Sequence, residues 1–393
     1  MTHTNSDARP LSGILVVEMG HSVAAPYAGQ ALADLGATVV KIEKPAGDDA
    51  RYWGPPFLDG VAATFQALNR GKRSVVVNLR DPAQRQALKD FILDRADVLI
   101  QNLRPGGTDE LGLGSTELRQ AKPSLVYCNL GAFGARGPLA GKPGYDPLMQ
   151  AFGGIMSVVG EPGRPSVRVG PSIIDQGTAM WATLGIVAAL LKRKDTGEGA
   201  VVDVSLFETA VAWMTMHGAQ YAGSGELPRK AGSGQAGIVP YRAYETADGE
   251  LVVAAGNNAL FQRLCTVLGH PEWATDARFT DNPTRVAHAA ELYALIEPEM
   301  KRATSATWTE RLEAAGVPCA PVQNVAQMLE HPQTAALGIV QPVPGSSAPL
   351  IGLPLSFDGQ RPQPTTASPA LGADTDLLAP YLARLGATAT PSS

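Results

Sequence analysis

Cysteine is scarce in this chain, with three residues, Cys128, Cys265 and Cys319, among 393. They lie far apart and form no CxxC, so no disulfide framework is expected, which suits a reducing, cytoplasmic setting. Histidine is scarce too. His3, His21, His217, His270, His288 and His331 show no HExxH or other ligand spacing, and no metal site is expected. Charged residues make up 18% and the net charge is −5, which argues against a general nucleic-acid binder with its basic face. The start, MTHTNSDARPLSG, lacks the apolar core of a signal peptide. The longest apolar run, residues 181–191, is broken by Thr183 and Gly185 and is expected to be too short for a bilayer, so no membrane partner is expected. Glycine (42) and proline (31) are plentiful, and 45% of residues are hydrophobic. That is a globular chain of two or three domains with many turns.

Strand and helix patterns alternate through the first half. ILVVEM (14–19) reads as a buried strand, 26–35 as a helix and ATVVKIE (37–43) as a second strand. RSVVVNL (73–79), ADVLIQN (96–102) and SLVYCNL (124–130) continue the strands, with helices over 82–95 and 115–120 between them. The expected fold class is α/β, a Rossmann-like large domain with a mostly parallel sheet. Val201 to Val204 read as a further strand, followed by a helix with Ser205 as N-cap and Glu208 at the capping-box position. The stretch 223–237, GSGELPRKAGSGQAG, reads as a linker. A hairpin over 241–256 turning at Asp248-Gly249, helices through 314 and a strand over 317–322 suggest a smaller α+β domain. The expected boundaries are 1–222 for the first part of the large domain, 223–237 for the linker or glycine loop, 238–335 for the small domain and 336–393 for a C-terminal return to the large one, with a polar end from Ala387.

A strand-helix-strand start invites a dinucleotide reading, with Glu43 placed to meet a ribose hydroxyl. The first turn, GHSVAAPYAG (20–29), lacks GxGxxG, and NRGKRS (69–74) lacks Walker spacing, so an NAD-linked oxidoreductase is a remote alternative. Strand ends offer cations instead: Lys41, Lys44 and Arg51, then Arg70, Lys72 and Arg73, then Arg104. Such residues suit a polyphosphate ligand or are simply solvated surface charges.

Asp175 is the one carboxylate in the apolar sequence that opens a long helix ending in Lys192-Arg193-Lys194. A carboxylate among so many apolar residues needs a local reason. It is either the N-cap of a helix starting at Gln176, or chemistry; the two are compatible.

GHSVAAP with LADLGATVVKIEKPAGDDAR (32–51), LNRGKRSVVVNL (68–79), ADVLIQNLRPG (96–106), GYDPLMQAFGG (144–154) and TGEGAVVDVSLFETA (196–210) resembles the class III CoA-transferases, the CaiB/BaiF-type superfamily of formyl-CoA transferase and the α-methylacyl-CoA racemases. The likeness continues through 240–265 and 314–338 and so covers nearly the whole chain. It implies a cytoplasmic homodimer of two interlocked ring-like subunits. CoA thioesters would be substrates, with no tightly bound cofactor. Asp175 falls on the family's nucleophile, and Gly234 and Gln235 on its glycine-rich loop over the intermediates, although the same glycines also suit a flexible linker.

For CoA contacts the resemblance implies Val23, Ala24, Lys44, Asn69, Arg70, Gly71, Lys72, Asn102, Leu103, Arg104, Tyr145 and Asp146. Two departures stand out: Glu110 where the family carries a basic residue, and Val23 where formyl-CoA transferase has a polar amide. Racemases carry histidine where this chain has Tyr145, and tyrosine is a poor base at neutral pH, which leaves a racemase as the alternative. The pattern implies succinyl-CoA as donor and a short carboxylic acid as acceptor, a dicarboxylate or a sulfinate analogue such as 3-sulfinopropionate. Arg168 and Arg51 are candidates to hold a second anionic group, or ordinary surface charges.

Overall fold

The computed structural model describes residues 9–386; the polar end expected from Ala387 lies outside them. Two compact units emerge. One takes in the chain up to Gly153, Gly170–Trp213 and the chain from Pro332 on; the other is Gly154–Val169 with Met214–His331. The small unit therefore starts before the expected 223–237 linker, which lies inside it, and it recruits residues 154–169, which sequence had placed in the large domain.

The first unit is built on six parallel strands: β1 Leu15–Met19, β2 Thr38–Glu43, β3 Lys72–Val76, β4 Val98–Gln101, β5 Val126–Gly131 and β6 Val201–Ser205. Their order in the sheet is β3-β2-β1-β4-β5-β6. Val16 to Met19, Val39 to Glu43 and all of β4 are buried, as strands covered by helices on both faces must be. The covering helices include α1 Ala24–Asp34, α2 Ala63–Asn69, α3 Pro82–Arg95, α4 Gly107–Glu110, α5 Ser115–Ala121, α6 Asp146–Phe152, α7 Ile173–Thr196 and α8 Leu206–Trp213. The order reverses between β1 and β4, and in open sheets of this kind the crevice at the carboxyl ends beside that reversal receives ligands.

Helix α7 runs back from the carboxyl edge to the amino edge. Near its end Arg193 pairs with Asp97 at 2.9 Å and donates to the Ser124 carbonyl, both just before strands start. Gly197, at φ 72°, then turns the chain into β6. At 24 residues, α7 is long and apolar enough by composition to cross a membrane, contrary to the shorter run expected. Its inner face instead lies in the core of this unit, where Ile174, Thr178, Ala182, Ile186 and Leu190 are buried. Ser205 Oγ accepts the Glu208 N–H at 3.1 Å, as its N-cap reading requires.

The small unit holds a three-stranded antiparallel sheet of β7 Tyr241–Glu245, β8 Glu250–Ala254 and β9 Cys319–Pro321, with β8 in the middle. Phe261, Leu264, Phe279, Leu292, Ile296, Trp308 and Leu312 fill its core.

Candidate functional site

The carboxyl edge of the large sheet opens into a cavity of about 320 Å³. Met19, Gly20 and His21 line it from the end of β1, Ile42 to Pro45 and Gly47 to Asp49 from the end of β2, and Val77 to Arg80 from the loop after β3, with Leu103 from the loop after β4. The turn after β1 needs glycine at position 20, since a Cβ there would lie 2.3 Å from the Ala25 Cβ. Asn102 braces this turn from β4: its Oδ1 accepts the His21 N–H at 3.0 Å and its amide donates to the His21 carbonyl at 2.9 Å. Desolvation at the crevice holds the His21 imidazole below its ordinary range. Lys44 and Arg80 bring positive charge to the lining; Lys44 pairs with Asp49 at 2.6 Å, both exposed.

Asp175 stands in the first turn of α7, which begins at Ile173 rather than at the expected Gln176. It is therefore not the N-cap. The exposed main-chain N–H groups of that turn are met from another helix. Asp146, buried at the start of α6, accepts the Ile174 N–H at 2.7 Å and the Asp175 N–H at 3.3 Å through one oxygen. Its other oxygen accepts from the Gln150 amide at 2.6 Å. Burial, and then the Asp146 charge, push the Asp175 carboxyl up to about 7. Trp213 packs beside the same turn. Its indole N–H donates to the Ile173 carbonyl at 3.4 Å, and a Cβ on Gly177 would lie 2.7 Å from its ring. Asp175 lies outside the lining of the 320 Å³ cavity, but the direction of α7 puts it at the same carboxyl edge of the sheet.

Several residues expected at a CoA site are placed otherwise. Asn69, Arg70, Gly71 and Lys72 precede or open β3, at the amino edge of the sheet, because parallel strands all start on one side. Arg70 is buried and paired with Asp34 at 2.7 Å. Lys72 is buried, with Glu18 at 2.7 Å and the Asn69 side chain at 2.9 Å, and burial pulls its ammonium down to about 8 despite Glu18. Both charges are thus neutralised internally, and β3 instead presents Val77 to Arg80 at its carboxyl end, which sequence reasoning missed. Those residues follow an apolar strand, the position where open sheets gather ligand loops.

Glu43 is no free ribose acceptor. It receives Arg51 at 2.7 Å and 2.8 Å, the Ser74 hydroxyl at 2.6 Å and the Asp48 N–H at 3.0 Å. Arg51 is itself buried in that pairing rather than free to hold a second anionic group of a substrate. Lys41, grouped with the strand-end cations, lies within β2 and is buried. Arg104 is exposed and ion-paired with Glu110, so the unexpected acid sits on the neighbouring base. Ala24 is buried and Val23 half-buried at the start of α1, while Leu103 lines the cavity and Tyr145 is exposed just before α6.

Gly234 and Gln235 lie in the small unit, in an ordered turn rather than a free tether. The Gly234 N–H donates to the Ala231 carbonyl at 2.9 Å and the Gln235 N–H to the Tyr241 carbonyl at 3.3 Å. A Cβ on Gly234 would lie 2.9 Å from that Tyr241 oxygen. Arg168 is also in the small unit and donates to the Val169 carbonyl at 3.3 Å.

A parallel sheet of this order, a crevice at its carboxyl edge that carries Lys44 and Arg80, and a carboxyl of raised pKa in the first turn of a helix define an α/β protein equipped for covalent or acid–base chemistry. Residues 11–375 match CoA-transferase family III, and the chain belongs to that family of enzymes. It is 36% identical to the succinate–glutarate CoA-transferase of Agrobacterium fabrum over 100% of both chains. It is 37% identical to the acetyl-CoA:oxalate CoA-transferase of Acetobacter aceti over 89% of this chain and 90% of that one. The crystal structure of a CaiB/BaiF family protein from Brucella suis superposes with a TM-score of 0.86 at 36% identity, over 95% of this chain and 99% of that one.

Proposed function

We propose that this enzyme moves CoA from succinyl-CoA to a short dicarboxylate by way of covalent intermediates on Asp175. The names of the two relatives, one pairing succinate with glutarate and one using oxalate, support a dicarboxylate substrate. A sulfinate analogue such as 3-sulfinopropionate keeps two anions on a similar frame and belongs in the same substrate panel. The observation that carries the mechanism is Asp175 itself, partly buried on the first turn of α7, with its carboxyl pushed up to about 7.

Burial and the neighbouring Asp146 make the ionised Asp175 poorly stabilised and hence nucleophilic. Its carboxylate oxygen attacks the thioester carbonyl of the donor; the C–S bond breaks, giving a mixed anhydride and CoA thiolate. The thiolate attacks the Asp175 acyl carbon, the donor acid leaves as its carboxylate, and an aspartyl-CoA thioester remains. The acceptor carboxylate attacks that thioester and expels the thiolate. The thiolate then takes the acceptor acyl carbon, and the Asp175 carboxylate is restored. No proton is consumed and each step exchanges one acyl bond for another. Water must be kept from the anhydrides. The family resemblance assigns that task to Gly234 and Gln235.

The cavity, with Lys44 and Arg80 in its lining, supplies a cleft with cations for the nucleotide part of CoA. Apolar side chains exposed along α7, Met180, Trp181, Leu184 and Leu191, support a homodimer that covers them. Free Cys128, Cys265 and Cys319 support a reducing, cytoplasmic location. Incubation with succinyl-CoA followed by hydroxylamine should leave a hydroxamate on Asp175 by peptide mass spectrometry, and Asp175→Ala should abolish exchange while retaining CoA binding. Undiminished exchange by Asp175→Ala would overturn the reading.

A further inference from the structure

Lys41 is the most deeply buried cation next to the cavity, and no step of the exchange uses it. Its ammonium donates to Glu18 Oε1 at 3.0 Å and to the Gly20 carbonyl at 2.7 Å, and it forms an ion pair with Asp48 Oδ2 at 2.9 Å. Two of these partners belong to the two loops that line the cavity from β1 and β2. The third, Glu18, is the register partner of Lys41 on β1 and is balanced on its other oxygen by Lys72 at 2.7 Å.

Asp48 completes the link. Its Oδ1 accepts the Ser22 N–H at 3.2 Å and the Ala50 N–H at 3.0 Å. Ser22 holds φ at 69°, a left-handed backbone that a serine adopts only when its surroundings impose it. One ammonium thus fastens the Gly20-His21-Ser22 turn to the Asp48-Asp49-Ala50 turn beneath the cavity floor. The charges on Glu18 and Asp48 outweigh burial and hold the Lys41 ammonium above its ordinary range, while Lys41 keeps Asp48 below the ordinary carboxylate range although burial opposes this.

We infer that Lys41, through Asp48, is a positioning residue: it sets the spacing of the two loops and so pre-forms the cleft for the acyl-CoA substrate. The inference rests on the reading of that cavity as the CoA cleft. The four charges of Lys41, Asp48, Lys72 and Glu18 sum to zero, so removing Lys41 and Asp48 together leaves the net charge unchanged and Glu18 still ion-paired with Lys72, although Glu18 Oε1 and the Gly20 carbonyl each lose a donor.

Asp48→Asn keeps an oxygen for the Ser22 and Ala50 N–H groups but turns an amide toward Lys41, which breaks the link. In the full-length protein it should raise the Kd for CoA by calorimetry and the KM for acyl-CoA at least tenfold, with kcat within threefold. Amide exchange in peptides covering 20–22 and 44–50 should speed up together. Unchanged Kd, or faster exchange in one loop only, overturns the inference. If Asp48→Asn does not fold, the double variant Lys41→Met with Asp48→Asn removes both charges and carries the same readouts. A merely structural role would lower stability and the active fraction but leave Kd and KM unmoved. Failure of the wild-type protein to bind CoA would instead sink the reading of the cavity, while the loop-exchange result would still judge the link itself.

Discussion

Asp146 accepts the backbone N–H of Asp175 at 3.3 Å and of Ile174 at 2.7 Å, so one carboxylate holds the helix turn that carries the other. The same proximity makes the Asp146 charge, after burial, a cause of the raised Asp175 pKa of about 7. Holding the turn and raising the pKa are separable. Asp146→Asn retains an oxygen for the two N–H groups and removes the charge. On the proposed mechanism the acid limb of the kcat/KM profile reports ionisation of Asp175, and it should then move to lower pH by roughly half a unit to one unit. The plateau rate should fall by less than about tenfold, since an acceptor remains at the turn. Asp146→Ala removes both functions and should cost stability as well. An acid limb that stays in place in Asp146→Asn would show that burial alone sets the Asp175 pKa.

Asp175 is also a liability to the fold. Its carboxyl titrates at about 7 in the folded chain against an ordinary value of 3.8, so the folded state binds the proton more tightly. The contribution of Asp175 to stability is therefore fully present below pH 3.8 and is lost as pH rises through 7. Asparagine does not titrate and keeps the shape. Asp175→Asn should be inactive yet more stable than wild type at pH 8 by about 2 kcal/mol, roughly half the full linkage value because the site is partly open to solvent. Urea midpoints at pH 8 and pH 4 test this; a gain that is larger at pH 4 has the wrong sign.

Arg70 separates a structural cation from a binding one. It is buried against Asp34, which also accepts from Gln30 at 2.7 Å, and its guanidinium donates to the Ile351 carbonyl at 2.8 Å, tying the C-terminal segment to α1. Arg70→Ala strands the Asp34 carboxylate and should cost about 3–5 kcal/mol of stability. The KM of whatever folded enzyme remains should equal that of wild type. A tenfold rise in KM with unchanged melting temperature would restore Arg70 to the CoA site.

The parallel sheet was legible because its strands are short apolar runs punctuated by glycine and proline, and the runs from Ile14, Ala37, Arg73, Ala96 and Ser124 all became strands. Asp175 was legible for a similar reason: one acid among apolar residues is costly and asks for an explanation. Its partner was not, since Asp146 lies 29 residues away and meets it only when α6 packs on α7. The pairings of Arg70 and Lys72 were not legible because charge is visible in sequence whereas the edge of the sheet, and the acids Asp34 and Glu18 that reach them, are not. The assignment of 154–169 to the small unit depends on tertiary contacts, which composition does not encode.

Arg104 and Glu110 offer a test of whether an acid beside a base limits that base's access to a phosphate. Both are exposed and joined as an ion pair, so in the free enzyme each screens the other. Exposed pairs of this kind contribute only about 0–1 kcal/mol, and a phosphate can therefore compete for the arginine. Arg104→Ala alone should raise KM for acyl-CoA less than about threefold, because the arginine is already engaged. Glu110→Gln should lower KM, and Arg104→Ala in that background should cost about tenfold, the value of a freed cation on a phosphate. Arg80 is exposed in the cavity lining, and Arg80→Ala should raise KM about tenfold in either background and weaken the salt dependence of binding. KM measured at two ionic strengths for the three single variants, and for Arg104→Ala and Arg80→Ala each combined with Glu110→Gln, decides the matter. Additive effects at 104 and 110 would mean that the pair does not control access to the phosphate, and that the acid at 110 is a neutral replacement.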